Sequence, residues 1–498
     1  MATSNLTPPV SWTRQTFLQE AGSLQSGLRQ AIIDAIARGG LAPGQRMPSS
    51  RALAVELGIA RNTVIAVYEE LSTRGILNAT ARRGCFVADT PALPQSATGG
   101  STKAAGASGD AEGVDWRTRM TSRIADWRHI SKPKDWRRYP YPFLYGQVDQ
   151  MLFPLPAWRL ASRIALGRAA VDWWSADNVI EDDPLLIDQI RRIILPRRGV
   201  LARPDEILIT LGAQEGLYLL SRLLVRPGDV VGVENPGYTD ARHIFSLGPC
   251  EIRDLPLDDQ GVVVDETLDG VNVAVVTPGR QCPTGVSMGL DRRRALLDWA
   301  TRQDALVIED DYEGELAVDA AAPPLKSGDE SGRVIYLGTF SKVLAPGVRL
   351  GYMVGPSELI AEARALRRLV HRTPPLNNQR LAAIFMVEGH YNGLVRRLRT
   401  ETDRRWTTAR AALTRDLPEV EMTGGKGSSL WLTFPPGLEE ELLVRKAAAR
   451  GVLLESGRPF FSGQPERLHM RMGLSTIDAS RIDAGVGRLA EAVRSLMP

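Results

Sequence analysis

The chain has 498 residues, long enough for two or three domains, and its 43% hydrophobic and 24% charged residues match an ordinary globular protein. No apolar run is long enough to span a bilayer and the polar start MATSNLTPPV lacks a secretion signal, while three scattered cysteines (Cys85, Cys250, Cys282) and five scattered histidines point to reduced thiols, a cytoplasmic protein and no metal site. Net charge is only +3, but residues 1–89 hold nine arginines against six acids and residues 116–138 eight basic residues against two, a basic front that suits a polyanion partner.

Leu24, Leu28, Ile32 and Ile36 recur every four residues and predict an amphipathic helix. In PSSRALAVELG, Ser49 or Ser50 caps a short helix with Leu53 and Leu57 on one face, and Gly58 closes it. IARNTVIAVYEELSTRG then sets Val64, Val67, Tyr68 and Leu71 on one stripe of a third helix that ends at Gly75. ILNATARRGCFVAD follows as two short strands about a turn at Gly84. This is the order of a winged helix-turn-helix, placed at residues 18–89. Opposite the apolar stripe, the third helix offers Arg61, Asn62 and Thr63, residue types that reach base edges and phosphates from a major groove. Arg51 and the wing-tip Arg82 and Arg83 flank them at phosphate height.

From Thr90 the chain turns rich in Ala, Gly, Ser and Pro and almost loses its large apolar residues, so residues 90–138 read as a flexible linker. Trp116, Trp127 and Trp136 at its end suit docking on a folded body. Over 139–498, candidate strands at 206–210, 229–233, 271–277, 305–312 and 333–337 alternate with helical stretches such as 213–224 and 290–301. That alternation predicts an α/β domain with a large, mostly parallel sheet covered on both faces. The more mixed sequence from 373 to 498 predicts a smaller α+β lobe.

GTFSKVLAPGVRLGY keeps one of only seven lysines, Lys342, directly after an apolar strand. An amine there forms a salt bridge or bonds a carbonyl cofactor. The body also supplies what a pyridine aldehyde phosphate needs. In ALVIEDDYEGEL, Asp310 and Tyr312 share one strand face and suit the ring nitrogen and the phenolic oxygen, while Asp311 points the other way. ITLGAQEGLYLL sets Gly212, Ala213 and Gln214 at a strand-to-helix turn suited to a phosphate. Thr339 and Arg349 add a hydroxyl and a guanidinium, and Tyr238 in VENPGYTDAR can cover the ring. All fall at successive strand ends, where open α/β sheets bind ligands.

The run PGQRMPSSRALAVELGIARNTVIAVYEELSTRGIL resembles the winged helix of GntR-type bacterial repressors, with Ala60 where that family usually has Ser or Thr. LFPLPAW, GAQEGLYLLSRLL, PGDVVGVENPGY, IEDDYEGEL, RVIYLGTFSKVLAPGVRLGYMV and HMRMGLS resemble fold-type I pyridoxal-phosphate aminotransferases. With both halves in one chain, the whole is similar to the MocR branch of GntR regulators. The resemblance implies pyridoxal 5'-phosphate on Lys342 as an internal aldimine, Arg471 as a clamp for an effector carboxylate, and a head-to-tail homodimer. It also implies a transcriptional regulator that binds double-stranded operator DNA and senses an amino acid, an amine or pyridoxal phosphate itself through an external aldimine. A working aminotransferase with an accessory DNA-binding domain is the alternative. Cys282 stands where aminotransferases carry an Asn, and Asp240 replaces an arginine thought to help clamp the ligand in GABA-responsive members.

Overall fold

The computed structural model describes residues 23–37, 39–80, 84–88, 114–146, 148–177, 180–316 and 323–497. Arg82 and Arg83, residues 18–22 and the linker positions 90–113 lie outside these. The chain divides into two units, one up to Trp116 and one from Arg117 onward. Among the described residues, no helix is long and apolar enough to cross a membrane.

The first unit contains α1 (Leu24–Ala37), α2 (Ser50–Leu57), α3 (Arg61–Thr73) and the antiparallel pair β1 (Leu77–Thr80) and β2 (Gly84–Val87). Leu28, Ile32, Leu53, Leu57, Val64, Val67 and Leu71 form its core, as the helical spacing requires. Burying each such side chain contributes about 1.5–3 kcal/mol, which is how so small a unit offsets its ordering entropy. Ser49 is the cap of α2, its Oγ accepting from Ala52 N at 3.1 Å. Gly58 ends that helix at φ 63°, a left-handed conformation that favours glycine. Ala60, with no side-chain oxygen, leaves the start of α3 without a side-chain cap.

The second unit is built on an eight-stranded sheet. Its elements are β3 (Ile207–Thr210), α4 (Ala213–Leu223), β4 (Val230–Asn235), α5 (Thr239–Ser246), β5 (Glu251–Asp258), β6 (Gly261–Val262), β7 (Val273–Val276), α6 (Leu290–Arg302), β8 (Leu306–Asp311), β9 (Val334–Thr339) and β10 (Gly351–Val354). The strand order is β3-β10-β9-β8-β7-β4-β5-β6. From β9 to β5 every pairing is parallel; β10 runs antiparallel to both its neighbours, and β6 to β5. β3, β7 and β10 are buried along their whole length, which is why they read as unbroken apolar runs. The five strands expected from the sequence are present as β3, β4, β7, β8 and β9. β5 escaped notice because only Leu255 along it is buried. β10 is four residues long and depends on close backbone approach: a Cβ at Gly351 would lie 2.7 Å from Gly212 Cα and 2.8 Å from the Gly338 carbonyl oxygen.

A second sheet forms the smaller lobe. β11 (Glu421–Thr423), β12 (Ser429–Thr433), β13 (Glu455–Ser456) and β14 (His469–Gly473) pair antiparallel in the order β11-β12-β14-β13. Their apolar face shares a core with the helices His390–Asp416 and Ala479–Arg494. Residues 117–138, expected as the end of the linker, belong to the larger unit. They hold short turns at Ile124–Asp126 and Trp136–Arg138, and Trp127 packs against His243 with ring centroids 4.8 Å apart. Trp116 is exposed.

At the end of β8 the pleat separates two neighbouring carboxylates. Asp311 Oδ2 accepts from Arg198 Nη2 at 2.7 Å, Arg198 Nε at 3.0 Å and the Tyr336 hydroxyl at 2.7 Å, all on the face away from Asp310. Removing one partner of a buried ion pair leaves the other charge unpaired, so Asp311→Ala is expected to cost about 3–5 kcal/mol, read as a lowered denaturant midpoint.

Candidate functional site

The C-terminal ends of β3, β4, β7, β8 and β9 open onto one cleft of about 470 Å³, the size of a small-molecule site. Lys342, Asp310, Tyr312, Tyr238, Gly212, Ala213, Gln214, Thr339, Arg349 and Arg471 all line it. Most of these residues, far apart in sequence, meet because parallel strands point their ends the same way, while Arg471 enters from β14 of the second sheet.

Lys342 lies just beyond β9, its Nζ 4.0 Å from the centre of the Tyr145 ring and 6.0 Å from that of Tyr312. Burial pushes its amine down to about 8; Glu313 opposes this, while Arg471 and Lys132 add to it. A substantial share of the amine is therefore neutral at slightly alkaline pH, the state in which it is nucleophilic. Asp310 projects from the last turn of β8 with Oδ1 buried and without a hydrogen-bond partner. Burial, and then the neighbouring Asp311, raise its carboxyl to about 7.

Gly212 precedes the first residue of α4 at φ 92°, a conformation that favours glycine, and a Cβ there would sit 3.8 Å from Arg349 Nη1. The free N–H groups at the start of an eleven-residue helix and a guanidinium thus face the same space. Thr339 Oγ1 accepts from Ser341 N at 3.2 Å, which fixes the turn that carries Lys342. The Tyr238 hydroxyl donates to Asp240 Oδ2 at 3.2 Å, and Gln214 Nε2 reaches the same oxygen at 3.2 Å. This donor set fits pyridoxal phosphate: an unpartnered buried carboxylate oxygen for a protonated ring nitrogen, an amine for the aldehyde, and a helix start with Arg349 for the phosphate.

Arg471, on β14, is already paired. Its Nε and Nη2 donate to Glu455 Oε2 at 2.8 and 2.7 Å, and its Nη1 lies 3.9 Å from Cys282 Sγ. Glu455 Oε1 accepts from Tyr145 N at 2.9 Å and lies 3.2 Å from Lys132 Nζ. Although burial acts the other way, Arg471 and Lys132 hold the Glu455 carboxyl below its usual range. Two cations therefore share one carboxylate. Cys282 is buried, and burial pushes its thiol up to about 12 despite Arg471 and Lys342, so it is a poor nucleophile. Tyr145 donates to Glu313 Oε1 at 2.7 Å, and Arg280 Nε pairs with Glu313 Oε2 at 2.9 Å.

Lys132, Tyr145, Glu313 and Glu455 were not found from the sequence. Lys132 carried one signal, its membership of a set of only seven lysines. The other three carried no signal that assigned them a role. In the first unit, Arg51, Arg61 and Asn62 are exposed and Thr63 is half-buried. Arg61 Nε donates to Ser50 Oγ at 3.4 Å, which brings the starts of α2 and α3 side by side.

The raised Asp310 carboxyl has a testable sign. Its folded value of about 7 exceeds the unfolded value of about 4, so between those limits the native state retains a proton that the unfolded chain releases. Stability therefore falls as pH rises through this window. Cofactor-free Asp310→Asn is expected to have a higher urea midpoint than the wild type at pH 8 and little advantage at pH 4. Glu234 and Glu309, also raised to about 7 by burial, give both proteins a pH dependence of the same sign.

Residues 24–87 match the bacterial regulatory proteins of the gntR family, and residues 185–489 match aminotransferase class I and II. The chain is 41% identical over 476 residues to the HTH-type transcriptional regulator TauR of Rhodobacter capsulatus, covering 95% of this chain and 97% of that one. It is 31% identical over 472 residues to the probable rhizopine catabolism regulatory protein MocR of Rhizobium meliloti, covering 93% and 92%. A solved structure similar to it is LysN, an alpha-aminoadipate aminotransferase of Thermus thermophilus complexed with N-(5'-phosphopyridoxyl)-L-leucine. The match has a TM-score of 0.70 at 28% identity and covers 77% of this chain and 99% of that one.

Proposed function

Because the chain belongs to the MocR-type transcriptional regulators, a gntR-family winged helix joined to an aminotransferase class I and II domain, we propose that it holds pyridoxal 5'-phosphate at Lys342 and regulates transcription in response to an amino acid or amine. The observation that carries this reading is the pairing of a buried lysine of lowered pKa with an unpartnered Asp310 oxygen in one cleft. When bound, the cofactor supplies an aldehyde carbon for which Lys342 and an incoming primary amine compete.

The chain's own residues do the rest. Asp310 holds the ring nitrogen and keeps it protonated, and Tyr312 meets the phenolic oxygen. Tyr238 covers the ring. Gly212, Ala213 and Gln214 turn backbone N–H groups toward the phosphate, with Thr339 and Arg349 beside them. Arg471, through the Nη1 that Glu455 leaves open, takes the acid group of the effector, and Lys132 adds a second positive charge. An effector acts only through its different affinities for two states of a dimer, head-to-tail in this reading. Leu155, Leu160, Ile164 and Leu166, exposed on and just after one helix, are candidates for that contact. Arg61, Asn62 and Thr63 enter the major groove of operator DNA, with Arg51 on phosphate.

Purified protein incubated with pyridoxal phosphate is expected to acquire the visible absorbance of a lysine-linked cofactor, and Lys342→Ala to lack it; a colourless wild type overturns the reading. Added amino acid should shift that absorbance and change operator affinity. Sustained turnover with an amino-acid donor and a keto acid would instead identify a working aminotransferase. Arg471→Lys keeps a charge beside Glu455 but loses the second donor. It is expected to weaken acid-bearing effectors about tenfold in a spectral titration and to leave simple amines unaffected. Arg61→Ala is expected to weaken operator binding and to reduce the slope of log affinity against log salt by about one.

A further inference from the structure

Two of the five histidines, 114 positions apart, meet beside the cleft with Asp240. We propose that His129, Asp240 and His243 form a binding site for a divalent cation of the zinc class, which staples residues 124–132 to α5.

The three residues offer donor atoms that all lie within 4.8 Å of one another. Asp240 and His243 stand three apart on α5 and so share a face, while His129 arrives from the segment that crosses to the cleft. In each residue the geometry leaves a donor open. His129 Nε2 lies 3.3 Å from the Ile124 carbonyl; an N–H there leaves the lone pair on Nδ1, which faces Asp240 Oδ1 at 3.9 Å. Asp240 Oδ2 is engaged by the Tyr238 hydroxyl and Gln214 Nε2, which leaves Oδ1 toward the histidines. His243 Nδ1 is buried and has no hydrogen-bond partner. Metal-binding histidines are oriented in this way, one ring nitrogen anchored by a backbone carbonyl and the other presented to the ion.

Trp127 packs on the His243 ring at 4.8 Å and the two imidazoles meet nearly edge-on, at 78° and 5.4 Å, which restricts the rotation of His243. Two imidazoles and one carboxylate suit zinc and its late first-row neighbours; magnesium and calcium prefer oxygen donors throughout. Bonds of about 2.0–2.1 Å require donors roughly 3.3 Å apart, so the three side chains, with donors now within 4.8 Å of one another and 3.9 Å between His129 Nδ1 and Asp240 Oδ1, must draw together on binding.

The consequence reaches the cleft by two short routes. His129 immediately precedes Ile130 and lies three residues before Lys132, both of which line the cleft, and Asp240 is bonded to Tyr238 and Gln214 on its wall. A bound ion would hold the segment that delivers Lys132 to Glu455. This inference does not require the cofactor.

The test uses tag-free, full-length protein stripped of metal and titrated with Zn²⁺ by calorimetry and with Co²⁺ by visible absorbance. Wild type is expected to bind one ion per chain and to give the intense d–d bands of a low-coordinate Co²⁺ site. His129→Gln and His243→Gln should each weaken binding by about tenfold or more, and the double variant should abolish both signals. Zn²⁺ should also slow tryptic cleavage after the exposed Arg128 in wild type and not in the double variant. An unchanged unfolding midpoint shows that the variants are folded. No binding by wild type, or binding that survives in the double variant at Cys85, Cys250 or elsewhere, overturns the proposal.

Discussion

The clamp on Asp311 governs the chemistry of the cleft. Adjacent residues on a strand face opposite ways, so once Arg198 and Tyr336 fix Asp311 beneath the sheet, Asp310 and Tyr312 must face the cleft. Of two neighbouring carboxylates, one receives three hydrogen bonds and the other is left with a buried oxygen that has none. A buried acceptor without a donor is costly, and such an atom is a place where a ligand donor gains the full value of a charge-assisted bond. The Asp311 charge adds to this by raising the neighbouring carboxyl, so the site favours a cationic partner over water.

The second constraint is the arrangement of positive charge. Lys342, Arg471, Lys132 and Arg349 converge on one cavity, and Glu455 and Glu313 sit behind them. Glu455 holds Arg471 by two hydrogen bonds, to Nε and Nη2, and Nη1 reaches Cys282 Sγ at 3.9 Å, so the guanidinium is fixed in one orientation. Arg471 and Lys132 also help to keep Lys342 in a partly neutral state, so a change at either is felt at the amine. Lys132 comes from the opening segment of the second unit, residues 117–138, so charge in the cleft depends on where that segment lies.

Glycine decides how closely these parts approach. β10 runs against the grain of the sheet and brings Gly351 onto Gly212, the residue that starts the turn at the head of α4. No larger side chain fits between the two backbones. The turn that carries Lys342, the turn at Gly212 and the strand between their two sheet positions are therefore one packed unit.

The sequence by itself determined the winged helix, the parallel strands and nine of the residues that line the cleft, and the family resemblance added a tenth, Arg471. Each was legible because local periodicity, caps and strand-end residue types reflect local physics: Leu28 and Ile32 had to face inward, and Asp310 and Tyr312 had to share a face. Ala60 was equally legible as a missing cap. What only the tertiary structure decided depends on contacts between distant segments. Glu455 takes up Lys132 across more than 300 positions, β5 shows no apolar run because little of it is buried, and His129 reaches His243 only after a polar segment has folded back over the body. None of these leaves a pattern along the chain, because pairing between remote side chains is set by packing and charge in space, and neither follows a period in sequence.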